Sequence, residues 1–72
     1  MIDTLSMLQM VANGEKDNGA FESKNKSDEE VINYLYRQGL VNKFEFVKGL
    51  AATLNTKGVM RLSELNNAAH RQ

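Results

Sequence analysis

The stretch Asn42–Gly58, NKFEFVKGLAATLNTKG, constrains what this chain can fold into more than any other. Wound at 100° per residue, Phe44, Phe46, Val47, Leu50, Ala51 and Leu54 fall within one arc of about 160°. Lys43 lies at the edge of that arc, and Glu45, Lys48 and Asn55 lie on the opposite side. Asn42 is a good N-cap residue, with Glu45 three positions on as in a capping box. Gly58 suits the left-handed conformation just past a helix end. The spacing predicts a central amphipathic helix over residues 43–56.

The rest of the composition agrees with helices. The chain has 72 residues, no Pro and five Gly, which favours helices over a turn-rich β-fold. A chain of this size buries only about 60% of its extended surface, so its core is marginal. With no Cys and one His, neither disulfides nor thiolate metal sites reinforce it. Burial on a partner or on a second copy is the remaining support. No apolar run approaches the ~18 residues of a membrane span, and the first residues lack the basic segment of a secretory signal. The absence of Cys fits a reducing compartment, so the expected location is cytoplasmic.

Three further segments surround the central one. Ile2, Leu5, Leu8 and Ala12 form a helical stripe over residues 2–12, ended by Asn13-Gly14. Met7, Met10 and Val11 lie on its other faces, so this helix needs burial on more than one side, in the core or on a partner. Residues 14–26 are polar, carry Phe21 as their one large apolar side chain, and read as a linker. Ser27-Asp28-Glu29-Glu30 has the form of a capping box opening a helix over 28–38, with Val31, Ile32, Leu35 and Tyr36 on its apolar face and Gly39 at its stop. Leu62, Leu65, Ala68 and Ala69 give a narrower stripe over 60–70. The expected fold is all-α: a small bundle of three to four short helices with a central antiparallel pair. Residues 1–13 would form an apolar helix, 14–26 a linker and 27–72 the helical core domain.

Catalytic chemistry has no parts list here. His70 has no Cys, no orienting acid and no nucleophile near it in sequence, whereas a triad or dyad needs all its members. No Gly-rich phosphate loop and no metal-ligand cluster at helical spacing is present, and the acids 28–30 are accounted for by a helix start. Asp17-Asn18-Gly19 faintly resembles the middle of a calcium-binding loop, but in that register Gly14 and Lys16 supply no side-chain oxygen at the first and third ligand positions, and Asn25 supplies no bidentate carboxylate at the twelfth. Neither catalytic residues, metal nor cofactor is expected.

Charge is zero in total but uneven. Up to Glu30 there are seven acids against three bases, and from Val31 onward six bases against two acids. Two classes of function follow. In the first, the chain is a non-enzymatic adaptor or inhibitor that binds a protein partner or itself, with Met7, Met10, Phe21, Tyr34 and Tyr36 as candidate anchors. In the second, it is a helix-turn-helix-type DNA-binding regulator. Its last helix would enter the major groove, with Lys48, Lys57, Arg61, Asn66, Asn67, His70 and Arg71 as candidate contacts. The net charge of zero and the thinly covered N-terminal helix favour the protein-binding class.

Overall fold

The computed structural model describes residues 3–70, with side chains through residue 68. Its elements run α1 (Thr4–Asn18), β1 (Phe21–Glu22), α2 (Lys26–Arg37), β2 (Val41–Phe46), β3 (Gly49–Leu54) and α3 (Thr56–His70). The strands form one antiparallel sheet in the order β1-β3-β2. The fold is therefore α+β, and the all-α bundle expected from sequence is overturned.

The correction lies in the stretch read as the central helix. Residues 41–54 form a hairpin in which Val41 faces Leu54 and Phe46 faces Gly49, closed by the two-residue loop Val47-Lys48. Four of the apolar residues in the helical arc, Phe44, Phe46, Leu50 and Leu54, also fit the two-residue period of strands. Phe44 and Phe46 are two apart on one strand, and Leu50, Ala52 and Leu54 alternate on the other. A short segment with two Phe, two Val and a Thr fits a pleated surface well, and two covering helices decide between the periods. Asn42 accordingly caps nothing: its side-chain amide donates to Thr53 Oγ1 at 3.3 Å across the strand pair.

Caps set the helix boundaries. Asp3 caps α1, its Oδ1 accepting from Ser6 N at 2.8 Å. The helix runs through Asn13-Gly14 instead of stopping there, and ends at Gly19, whose φ is +83°. Gly14 stays helical because β1 packs on it. A Cβ there would lie 2.6 Å from Phe21 Cα, and only hydrogen leaves room for the strand. Residues 14–26, read as a polar linker, hold the end of α1, β1 and the first residue of α2. The cap of α2 is Asn25, two residues before the expected Ser27. Asn25 Oδ1 accepts from Asp28 N, and Asp28 Oδ2 in turn accepts from Lys24 N, both at 2.9 Å. α3 begins at Thr56, earlier than the expected residue 60, because Asn55 Oδ1 accepts from Gly58 N at 2.8 Å. Gly58, read as a helix stop, is thus in the first turn of a helix.

Both α1 and α2 cover one face of the sheet. Leu8 and Val11 of α1, Val31, Ile32 and Leu35 of α2, Leu40, Val41 of β2 and Ala52 of β3 make the core, with Phe21, Leu50, Leu54, Leu62 and Leu65 packed against it. α3 packs on α1 and on β3. Central strand β3 has a partner on each side, but β1 is only two residues long. Around it, side chains continue the ladder: Ser23 Oγ accepts from Leu50 N at 2.9 Å, and Glu15 Oε2 accepts from Leu54 N at 3.1 Å.

Two outcomes test this architecture. In the interior of a free helix, Gly→Ala stabilises by about 1 kcal/mol. Gly58→Ala should instead destabilise by about 2 kcal/mol in urea unfolding, because its Cβ would meet the Leu40 carbonyl oxygen. At the Asp3 cap, the hydrogen bonds from Ser6 hold the carboxyl below its ordinary value of 3.8. A depressed carboxyl stabilises the fold above its unfolded value, and that contribution disappears as pH falls through the lower folded value. Helical circular dichroism should show this acid-side loss of α1 in the wild type and a smaller one in Asp3→Ala.

Candidate interaction surfaces

Two surfaces stand out among the described residues. The first is a depression of about 770 Å³ where α1 passes α2. Met7, Val31 and Tyr34 form its apolar floor, while Asp3, Glu30 and Arg37 stand at its rim. The amphipathic faces place these residues there. Met7 lies one position before the buried Leu8, and Tyr34 one before the buried Leu35, so each side chain emerges at the margin of its helix's core face.

The second surface is the sheet face turned away from the helices. Register places Asn42, Phe44 and Phe46 of β2, Thr53 and Ala51 of β3 and Glu22 of β1 on it. Phe44 is 52% exposed and Phe46 40%, and Val47 at the hairpin tip is fully exposed. Ala51 is nonetheless buried, flanked by Phe44 and Glu22. On the helix-side face of β2 stand Lys43 and Glu45. Lys43 Nζ donates to Asn33 Oδ1 at 3.2 Å and lies 4.6 Å from the centroid of the Tyr36 ring. Both charged residues line a shallow polar depression with Glu29 and Asn33. Neither has an ion-pair partner among the described residues, where the one ion pair is Arg61 Nε to Glu64 Oε1 at 3.6 Å.

The residues singled out from sequence are divided by this geometry. Met7 and Tyr34 come together in the α1–α2 depression. Met10 is half-buried on α1, Phe21 packs into the core, and Tyr36 is half-exposed beneath Lys43. The candidate nucleic-acid residues do not gather. Lys48 is at the hairpin tip and Lys57 follows the far end of β3, about 20 Å of strand away. Arg61 is paired with Glu64, Asn66 is half-buried, and Asn67 is exposed. The side chain of His70 and all of Arg71 lie outside the described residues. The helical period places Phe44, Phe46 and Val47 on a core face, which hides them as surface residues. The signal that could have exposed them is the Phe-Glu-Phe alternation running into Gly49.

Among the described residues no group of acids and histidines could hold a metal ion, and no helix is long and apolar enough to cross a membrane. No family model, curated protein or solved structure matches the chain.

An exposed aromatic on a sheet face contributes little to the fold of a single chain. Phe46→Thr, which keeps a strand-compatible residue, should change unfolding free energy in dilute solution by no more than about 0.5 kcal/mol in urea titration.

Proposed function

We propose that this chain is a small non-enzymatic regulatory protein of the cytoplasm, an adaptor or inhibitor that acts by occupying a protein partner and that self-associates. The observation that carries this reading is the depression between α1 and α2, which has an apolar floor of Met7, Val31 and Tyr34 and a rim bearing both signs of charge. Met and aromatic side chains in a groove between helices suit the apolar stripe of an amphipathic segment, with Arg37, Glu30 and Asp3 setting its direction. A groove of this kind works by occupancy and needs no reacting group.

DNA binding through the last helix has less to support it. Its basic residues are separated along β3 or held by Glu64, and acids Asp28, Glu29 and Glu30 open α2. A protein contacting several phosphates binds duplex DNA with a steep dependence on salt.

The test has two arms. Proteins retained by the immobilised wild type are compared with those retained by Met7→Ser and Tyr34→Ser, each checked for its fold by circular dichroism. Loss of a retained partner in both variants, at about tenfold or greater weakening, is the expected result. In parallel, fluorescence anisotropy with random duplex DNA at about 50 and 200 mM salt should show no steep binding; steep binding abolished by Lys57→Glu or Arg61→Glu would replace the proposal.

A further inference from the structure

We infer that the outer edge of β2 is a self-pairing surface, on which a second copy of this chain adds its own β2 antiparallel, giving a continuous six-stranded sheet. The inference rests on the reading of the chain as an interaction protein and names one partner, the chain itself.

The edge is open. β2 is the outermost strand, and among the described residues no backbone group of 41–46 bonds to anything outside the pairing with β3. Edge strands are normally blocked by Pro, a bulge or a protruding Lys. The chain has no Pro, β2 pairs with β3 in unbroken register, and Lys43 is turned to the helix side and held by Asn33 and Tyr36.

Charge selects the register. Two copies of one strand pair about a two-fold axis, and side chains on the same face must meet. Within β2, only axes through Lys43 or Phe44 pair five residues; axes elsewhere leave three or fewer. An axis through Lys43 sets two half-buried cations against each other. An axis through Phe44 sets Lys43 against Glu45 of the second copy, and Glu45 against its Lys43. Two charges without ion-pair partners among the described residues are thus each given one. On the opposite face the same axis brings Phe44 onto Phe44 and places Phe46 beside Asn42 and diagonal to Phe44, so the exposed rings form one stripe.

The helix layer accepts this arrangement. α2 packs on both β2 and β3. With strands about 4.8 Å apart, a helix centred between them would lie about 10 Å from its copy across the axis, the ordinary distance between packed helices. Half-exposed Tyr36 stands on that side. A five-residue ladder is smaller than a standard interface of about 800 Å² per partner, so association in the micromolar range is expected.

Sedimentation equilibrium from about 1 to 500 μM, around that range, tests the pairing. The wild type should follow a monomer–dimer equilibrium. Lys43→Glu and Glu45→Lys should each weaken it by about tenfold or more, since each sets like charges together twice. Glu45 is exposed, so its substitution spares the fold. An equimolar mixture of the two variants should recover dimer, because in the mixed pair both contacts again join opposite charges. A wild type that is monomeric throughout, single variants that dimerise as well as the wild type, or a mixture that gains nothing would each overturn the pairing. None of these results touches the α1–α2 depression, whose reading stands or falls on Met7 and Tyr34.

Discussion

The backbone of β3 is the constraint on which the rest of this fold depends. As the central strand it carries hydrogen-bonding groups on both edges, and buried backbone groups left unpaired are costly. β2 satisfies one edge over six residues. The other edge meets a strand of only two residues, and the shortfall is made good by side chains from different parts of the chain: Ser23 Oγ for Leu50 N and Glu15 Oε2 for Leu54 N. Glu15 can reach because α1 continues past Asn13-Gly14, and α1 can lie that close because Gly14 has no side chain to meet Phe21. One requirement for satisfied donors thus links a glycine, a helix length and a carboxylate.

The start of α3 is tied in by the same kind of economy. Asn55 caps the helix through Oδ1, donates from Nδ2 to the Gly39 carbonyl and donates from its backbone to the Leu40 carbonyl. The turn that ends α2 and the turn that begins α3 are joined by one residue. Close packing of Gly58 on Leu40 follows from this junction.

What remains after these needs are met is a surface with an imbalance. The helices use one face of the sheet for the core, and a domain of this size has too few residues to cover the other. Phe44 and Phe46 are left exposed on a strand whose edge is free, and Val47 is exposed at its hairpin tip. Lys43 and Glu45 are left without ion-pair partners among the described residues. At the α1–α2 crossing, Met7 and Tyr34 border a depression that the chain does not fill. Each surplus is of a kind that association relieves.

The sequence by itself determined the helical character of α1 and α2, the core positions Leu8, Val31, Ile32 and Leu35, the stop at Gly39 and the exclusion of cysteine chemistry, because these follow from 3.6-residue periodicity, local turn chemistry and composition. It did not determine residues 42–54. Phe44, Phe46, Val47, Leu50, Ala51 and Leu54 line one side of a helix, but Phe44 and Phe46 also alternate along one strand and Leu50 and Leu54 lie on one face of the other, and Val47-Lys48 gives none of the usual turn signals. Nor did it reveal that Asn25 rather than Ser27 opens α2, since both residues can cap and only the reciprocal bond through Asp28 chooses between them. Met7 and Tyr34 were legible as candidate contacts from their helical positions, whereas Phe44 and Phe46 were hidden by the wrong period. Tertiary structure settled the choice: α1 and α2 together present an apolar layer wide enough for a sheet, and only strands let β3 share its backbone bonds with both neighbours.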